Sequence, residues 1–376
     1  MRIGIVSNSY FPRYGGAVTQ TNLLYDELLK RGHNPEIFCP DLHTNGRHIE
    51  EGRIVNRVCS RYIKDYYSFF SRLAILRGLR QTIRAKRAEF DVWFSPEFNL
   101  GPLALCLTPG ITRTAAYGAN LTFEYLNSDS TTPMISNEDA VCPSIKVLGP
   151  IKYLQGILLN RLQQFMFQKM QAIITLNDED DARIARHNKH ACQIPCLIRM
   201  RPSTPVKEPL ILIIGRAVKW KNIVASLQIA KKIRQQYPKY EIHYFGEMKS
   251  DFASPEVSIH SNVPNNEVIQ WMAKSSIIVN LSLYETFCIV NVEGMFHANL
   301  LIVHPLNVYH YLKHKTNCYM LNFNHDNLEE MLRLVGSQEA ERIARTARQD
   351  AHQLFDINKT MEKMENFFHQ AAQINH

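Results

Sequence analysis

Short apolar runs alternate with amphipathic stretches along the whole chain. Such runs are typical of buried strands, and apolar residues at helical spacing are typical of helices. In the first half, the pattern predicts helices over Val18–Leu29 and from Asp178 onward. The predicted strands of this half are Ile3–Val6, Glu36–Cys39, Ile54–Val58, Phe90–Phe94 and Ala172–Leu176. Strands and helices in alternation predict a parallel sheet covered by helices on both faces.

A proline-rich break separates this half from a second one with the same alternation. The later strands are predicted at Leu210–Ile214, Glu241–Phe245, Val257–His260 and Ile277–Leu281. The later helices are predicted at Ile223–Gln236, Glu267–Ala273 and Val292–Ala298. We therefore predict a Rossmann-like domain over 1–195, a linker over 196–209, a second Rossmann-like domain over 210–355 and a terminal helix within 356–376. The fold class is α/β, with two doubly wound domains facing each other across a cleft.

The composition is that of a globular protein with a positive net charge. With 376 residues, 45% hydrophobic and 21% charged, the chain can build two domains with cores. No apolar run is long enough to span a bilayer, and the N-terminus does not resemble a signal peptide, so we expect a cytoplasmic protein. The net charge of +8 favours an anionic partner. Nucleotide sugars, acidic glycans, anionic membranes and nucleic acids all satisfy that condition.

Two loops at predicted strand ends have the composition of phosphate-binding loops. Ligands of doubly wound folds bind beyond the carboxyl ends of the strands. Gly15 and Gly16 lie between the first strand and the first helix, where they either bring backbone amides to an anion or simply form a turn. The loop Ile214–Asn222 follows the first strand of the second half. Its Arg216 can hold phosphate oxygens with a planar fork, and its Lys221 adds a point charge.

A third loop, Ser282–Glu293, joins a predicted strand to a predicted helix. Glu285 lies in the loop, where a carboxylate can accept hydrogen bonds from sugar hydroxyls. The backbone amides of 286–289 can face a phosphate. We expect Glu293 in the first turn of the helix, where a carboxylate also stabilises the helix dipole without any ligand. Each glutamate taken singly therefore has a structural explanation as well as a functional one.

Two charged stretches are each open to two interpretations. The segment 69–87 interleaves arginines and a lysine with apolar residues and contains no acidic residue. It is either a basic amphipathic helix for a membrane surface or an ordinary helix with a core face. Asp178–Asp181 resembles an acidic metal motif, but its place at the start of a helix favours stabilisation of the unpaired amides there. We predict no metal site.

These motifs, in this order, resemble those of family 4 of the retaining glycosyltransferases, which share the fold called GT-B. The N-terminal part of the resemblance consists of Tyr10-Phe11-Pro12, Gly15-Gly16 and Arg31-Gly32-His33. The C-terminal part consists of Gly215-Arg216, Lys221-Asn222 and the pair Glu285 and Glu293, with seven residues between them. The resemblance covers nearly the whole chain, and it also implies that 356–376 returns to the N-terminal domain.

The resemblance implies a role for each matching residue. The catalytic group is Arg216, Lys221 and Glu285, of which the two cations neutralise the leaving diphosphate and the glutamate meets the sugar. The donor-binding residues are Gly15, Gly16, Val263, Phe287, Cys288, Ile289 and Glu293. The positions implied on the acceptor side are Glu97, Gly118 and Asn120.

The function implied is transfer of a hexose, with retained configuration, from a nucleotide diphosphate-sugar to a glycan or lipid-linked acceptor. Such a reaction serves cell-surface polysaccharide or glycoconjugate synthesis, and it needs neither a cofactor nor a metal. The segment 69–87 then provides weak, salt-sensitive attachment to the anionic inner face of the membrane. We expect no nucleic-acid partner, because the basic stretch lacks the aromatic pattern that stacks on bases.

The chain departs from the family at four places, one of which is the position after Pro195, where the glycine of the usual interdomain strand-end motif is missing. The histidine usual after the strand Arg113–Tyr117 is replaced by Gly118-Ala119-Asn120. Cys288 and Asn299 each stand where the family has glycine. A catalytically silent GT-B subunit that supports a partner glycosyltransferase is therefore the alternative to an active enzyme.

Overall fold

Two sheets organise the chain in the computed structural model, which describes residues 1–8, 10, 16–59, 62–63, 68–117, 145–199, 206–247 and 254–374. The described residues up to 197, together with 358–374, form a first unit. Residues 198–357 form a second unit. Both units are α/β, as the alternating pattern predicts.

Within the described residues, the sheet of the first unit has eight strands in the order β3-β4-β2-β1-β5-β6-β7-β8. They are β1 (Arg2–Val6), β2 (Asn34–Pro40), β3 (Gly46–Glu50), β4 (Arg53–Val58), β5 (Val92–Ser95), β6 (Arg113–Ala116), β7 (Ala172–Thr175) and β8 (Ala191–Gln193). All neighbours are parallel except β3 and β4. The prediction of a parallel sheet was therefore wrong at one edge, where β3 pairs antiparallel and has its residues mostly exposed.

Among the described residues before 198, the helices of the first unit are α1 (Gly16–Lys30), α2 (Phe69–Ala85), α3 (Leu100–Cys106), α4 (Ile145–Lys169) and α5 (Asp178–Ala185). A short 3-10 turn, Arg87–Glu89, follows α2. The helices cover strands that bury large side chains, such as Phe38 and Trp93 with ring centroids 4.9 Å apart. Gly4 is required on β1, because a Cβ there would lie 2.5 Å from the Trp93 ring.

Within the described residues, the sheet of the second unit is parallel and has the order β11-β10-β9-β12-β13-β14. Its strands are β9 (Glu208–Ile214), β10 (Glu241–Phe245), β11 (Val257–His260), β12 (Ser275–Asn280), β13 (Leu300–Val303) and β14 (Tyr319–Met320). Its helices are α6 (Ile223–Gln236), α7 (Asn265–Lys274), α8 (Ile289–Phe296), α9 (Leu328–Leu334) and α10 (Gln338–Leu354). The strand β9 begins inside the stretch 196–209 that was predicted as linker.

The last helix, α11 (Ile357–Gln373), packs within the first unit. Its Phe368 is buried against Phe94 with ring centroids 5.4 Å apart. Its Glu365 accepts a hydrogen bond from Arg31 at 3.0 Å and lies 2.9 Å from Nε2 of His33. Among the helices that the structure describes, none combines the length and the apolarity needed to cross a bilayer.

Candidate functional site

Each sheet has one point where its strand order reverses, and such points are where open α/β sheets bind ligands. In the second unit this point lies between β9 and β12, which are neighbours in the sheet but not in sequence. Arg216 and Lys221 follow β9, and Glu285 follows β12. The two loops are joined where the Leu283 amide donates to the Trp220 carbonyl at 2.7 Å. The topology therefore brings together three residues that the sequence singled out.

Lys221 and Glu285 form an ion pair, with Nζ 2.5 Å from Oε1. Their side chains are 21% and 9% exposed, so the pair is largely withdrawn from water. Burial, the strongest influence on the Lys221 pKa, lowers it, but the charge and hydrogen bond of Glu285 outweigh burial. The pKa of Lys221 is raised as a result, and the ammonium stays protonated beside the carboxylate.

Arg216 supplies a second cation at the same edge of the sheet. Its side chain is exposed, and among the described residues its guanidinium has no hydrogen bond or ion pair. Its charge acts on Lys221, whose pKa it lowers slightly against the effect of Glu285. An exposed, unneutralised guanidinium beside a buried ammonium is an arrangement that attracts a dianionic group such as a diphosphate.

The segment between Glu285 and α8 is held by buried side chains. Phe287 packs its ring 5.6 Å from those of Tyr311 and Phe355. Tyr311 also donates a short hydrogen bond to the Phe287 carbonyl. Asn280, at the end of β12, donates to Sγ of Cys288 at 3.0 Å. The loop is therefore fixed from both sides before α8 begins.

Cys288 lies just before α8 with φ 65° and ψ 82°, in the left-handed region that L-residues rarely occupy. Burial raises the pKa of its thiol to about 12, so the sulfur is a neutral packing group. The helix begins at Ile289, three residues before the predicted start at Val292. The prediction that Glu293 lies in the first turn was therefore wrong, because Glu293 falls one turn further along.

The remaining predicted donor residues also lie at or near the carboxyl edge of this sheet. Val263 is half-buried just beyond β11, two strands away from β9. Ile289 is the first residue of α8, and Glu293 is half-buried on the same helix. These positions are compatible with an extended ligand laid along the edge of the sheet from β12 to β11. Their proposed roles stay predictions.

In the first unit the strand order reverses between β1 and β5, and Glu97 lies at that point. Its two carboxylate oxygens accept hydrogen bonds from Ser7 Oγ at 3.0 Å and Asn8 Nδ2 at 3.2 Å. Asn8 is itself fixed, because its Oδ1 accepts from the Gly101 amide at 2.6 Å. Glu97 is thus an oriented, half-buried carboxylate. Its partners Ser7 and Asn8 were not predicted, although their place directly after the first strand was a usable signal.

Of the other predicted residues of this unit, Gly16 is the exposed first residue of α1. Gly15, Gly118 and Asn120 lie outside the described residues. The helix predicted at Asp178 does begin there, and Asn177 caps it by accepting from the Asp180 amide at 2.8 Å. Over the described ranges, no group of three or more histidine, cysteine or acidic residues is arranged to hold a metal ion.

The sequence left open whether α2 has a core face or a basic amphipathic surface, and the structure shows a buried face and an exposed basic face on the same helix. Ile75, Leu79 and Ile83 are buried in the core of the first unit. On the opposite side, Phe70 and Leu73 are 78% and 54% exposed. The exposed arginines that continue this side toward the end of the helix are Arg77, Arg80 and Arg84.

Sequence reasoning missed a network of buried polar residues below the Glu285 loop. Asn280 Nδ2 donates to Asn291 Oδ1 at 2.8 Å, and Ser282 Oγ donates to Asn280 Oδ1 at 2.7 Å. Tyr309 is buried nearby, and burial raises its pKa far above the usual value. Polar residues at the end of an otherwise apolar strand, as in Val279-Asn280-Leu281-Ser282, were the available signal.

Comparison with known proteins gives a family match for the second unit and a fold match for nearly the whole chain. Residues 198–350 match the family model described as glycosyl transferases group 1. This range contains Arg216, Lys221, Glu285 and Glu293. No curated protein sequence matches the chain.

Solved structures that resemble the chain cover nearly all of it. A sucrose-phosphate synthase from Thermosynechococcus elongatus has TM-score 0.75 and 13% identity, with 98% of each chain covered. A TarM variant from S. aureus in complex with fondaparinux, α-GlcNAc-glycerol and UDP has TM-score 0.70 and 12% identity, with 98% of this chain and 99% of that chain covered. HepE from Anabaena, in complex with UDP and glucose, has TM-score 0.70 and 12% identity, with 97% and 98% covered. The predicted resemblance to GT-B glycosyltransferases is confirmed, and family 4 is consistent with both findings.

Proposed function

We propose that this chain, which has the GT-B fold and a glycosyl transferases group 1 match in its second unit, transfers a hexose from a nucleotide diphosphate-sugar with retention of configuration. The observation that carries the proposal is the Lys221–Glu285 ion pair beside the exposed Arg216, at the point where the strand order of the second sheet reverses. UDP-sugars are the first donors to test, because two of the similar structures hold UDP.

The proposed chemistry follows from where charge develops. Breaking the bond between the anomeric carbon and the phosphate oxygen builds negative charge on the diphosphate and positive charge on the sugar. Arg216 and Lys221 stabilise the first, and each preorganised donor of this kind contributes about 3 to 4 kcal/mol. The backbone amides at the start of α8 add donors with a favourable dipole. With two cations at the leaving group, of which Lys221 is held by Glu285, the proposed reaction uses no metal.

Glu285 is the proposed contact to the donor sugar. Its Oε1 is occupied by Lys221 at 2.5 Å. Among the described residues its Oε2 has no hydrogen bond, so this oxygen is available to a sugar hydroxyl. The ion pair thus orients the carboxylate while one of its oxygens faces the ligand. We propose that the leaving phosphate helps to deprotonate the acceptor on the same face, which retains the configuration.

Glu97 is the proposed contact to the acceptor, a glycan or a lipid-linked sugar. Its fixed carboxylate can accept a hydrogen bond from an acceptor hydroxyl. Glu97→Gln keeps the shape but removes the charge, so we expect a higher KM for the acceptor and unchanged hydrolysis of the donor. Asp91→Asn, which changes an exposed carboxyl at the far end of β5, is the control.

We also propose that α2 attaches the protein weakly to anionic membranes. Phe70 and Leu73 are exposed apolar residues in line with exposed arginines, which is the composition of an interfacial helix. Each basic residue near an anionic surface contributes about 1 kcal/mol. Arg77→Ala with Arg84→Ala should therefore reduce flotation with anionic vesicles at low salt, whereas Lys232→Ala in the second unit should not. Equal flotation of all three proteins would contradict the proposal.

The test of the main proposal is a binding and turnover screen of nucleotide sugars on the wild type, Arg216→Ala and Glu285→Ala. Binding of one donor, with slow hydrolysis that Glu285→Ala loses, supports the enzyme. Cys288 in place of glycine favours the alternative, a silent subunit that supports a partner glycosyltransferase. That alternative predicts either no donor binding or binding without any hydrolysis or transfer.

A further inference from the structure

A basic cavity of about 420 Å³ lies in the first unit, at the edge of the sheet where β6, β7 and β8 begin. This is the edge opposite to Glu97. It is formed by three chain segments, around 110–113, 168–171 and 187–190, together with Ile374. Its lining includes the basic residues Arg113, Lys169, His187, Lys189 and His190. None of the described lining residues is acidic.

Hydrogen bonds between the segments hold the cavity in shape. The buried Asn188 donates to the carbonyls of Phe167 at 2.9 Å and Met170 at 2.8 Å, and its Oδ1 accepts from the His190 amide at 2.9 Å. Gln171 accepts from the Arg113 amide at 2.9 Å through its side chain. The segments are therefore positioned before any ligand arrives, which lowers the entropic cost of binding.

Arg113 gives the second indication of a ligand. Its Nε is buried and, within the described part of the chain, has no hydrogen-bond partner. A buried donor on a charged group is destabilising when it has no hydrogen-bond partner. Its terminal nitrogen makes only a long hydrogen bond, of 3.4 Å, to the Cys106 carbonyl. Arg113 itself lines the cavity, so its positive charge acts on an anion there.

We propose that this cavity binds a phosphate group, carried either by a small soluble phosphate ester or by the headgroup of an anionic phospholipid. Its volume lies in the range of small-ligand sites. A guanidinium, two ammonium groups and two imidazoles, with no carboxylate among the described lining residues, match a phosphate dianion. The site uses residues of the first unit alone, so it does not depend on the function proposed for Lys221 and Glu285.

The test compares inorganic phosphate with vesicles that contain phosphatidylglycerol. Lys169→Ala with Lys189→Ala removes two exposed cations without disturbing the core, and Lys232→Ala is the control of matched chemistry. Binding is measured by thermal shift, in a titration with phosphate at constant ionic strength. The double variant should bind phosphate about tenfold more weakly than the wild type, and Lys232→Ala should bind it as the wild type does. Lys221→Ala is a second control. It removes one of the two cations of the proposed donor site and leaves the cavity of the first unit unchanged.

The outcomes separate the two sources of phosphate. Loss of phosphate binding with unchanged vesicle flotation supports a soluble ester. Loss of both supports a lipid headgroup, provided that Arg77→Ala with Arg84→Ala leaves phosphate binding intact. Phosphate binding that is equal in the wild type and the double variant overturns the proposal. Phosphate binding that is lost only in Lys221→Ala also overturns it, because the anion then occupies the donor site.

Discussion

Lys221 and Glu285 are separated by three strands and two helices among the described residues between them, yet Nζ of the first lies 2.5 Å from Oε1 of the second. The adjacency of β9 and β12 in the sheet produces this contact. Because both side chains are largely buried, neither charge is well solvated without the other. The pair therefore has a structural consequence and a proposed catalytic one, and the two can be measured separately.

Lys221→Ala should reduce both stability and activity. Leaving Glu285 buried without its partner should lower the free energy of unfolding by about 2 to 3 kcal/mol. Loss of a cation on the leaving group should reduce kcat about 100-fold or more. Urea unfolding and steady-state turnover of the selected donor measure the two effects. Lys221→Ala with Glu285→Gln should recover much of the stability but no activity, and recovery of both would contradict the catalytic role.

Arg216→Ala should weaken binding of the nucleoside diphosphate while leaving the stability of the protein nearly unchanged. The exposed guanidinium has no protein partner among the described residues, so its removal should change the free energy of unfolding by less than about 0.5 kcal/mol. Nucleoside diphosphate binding should weaken by about tenfold or more, since charged hydrogen bonds to phosphate are lost. Calorimetry of the diphosphate gives the result, with the exposed Lys274→Ala as control. If Arg216→Ala binds the diphosphate as tightly as the wild type, Arg216 does not contribute to the binding site.

The sequence predicted best those regular elements that present an apolar face to the core. Ile223–Gln236 and Glu241–Phe245 have the same bounds in the structure as in the prediction, because apolar periodicity is strongest in elements that face a core. The strand Gly46–Glu50 was not predicted, since an exposed antiparallel edge has no such pattern. Helix α4 was also missed, although it is long, because its exposed apolar residues such as Leu154 and Leu158 blur the periodicity.

For the candidate site, residue types and their order were enough to select Arg216, Lys221 and Glu285. The ion pair itself required the strand order, which no local pattern contains. The start of α8 was predicted late because Cys288 takes a backbone conformation that only glycine adopts freely. The network of Asn280, Ser282 and Asn291 could not be derived either, since it depends on which polar groups are buried together.

Cys288 offers a test of that backbone conformation. Cys288→Gly removes left-handed strain of about 1 kcal/mol but adds a similar entropy to the unfolded chain and loses the contact with Asn280. Its stability should stay within about 1 kcal/mol of the wild type, and activity should be retained. Cys288→Val places a β-branched residue at φ 65° and should destabilise the protein by about 2 kcal/mol or more. If chemical unfolding finds the valine variant as stable as the wild type, the left-handed conformation at this position is incorrect.

His304 should make stability depend on pH. It follows β13 at the carboxyl edge of the second sheet, with its ring 4.6 Å from that of Phe323. Burial, reinforced by the nearby His325, lowers the pKa of His304 to about 4. The unfolded chain therefore takes up a proton near pH 6.5, which the folded protein does not bind until the pH approaches 4. The stability that the neutral ring contributes is fully present above about pH 6.5 and is lost as the pH falls between these two values.

The expected loss across this window is on the order of 3 kcal/mol. His304→Gln keeps a polar side chain of similar length but cannot titrate, so its stability should fall less steeply over the same range. Urea unfolding of both proteins at a series of pH values measures the difference between their slopes. His310→Gln changes an exposed histidine six positions away and should keep the slope of the wild type. Identical slopes for the wild type and His304→Gln would show that other groups govern acid unfolding, whereas a flatter slope in His304→Gln alone assigns the proton to this buried ring.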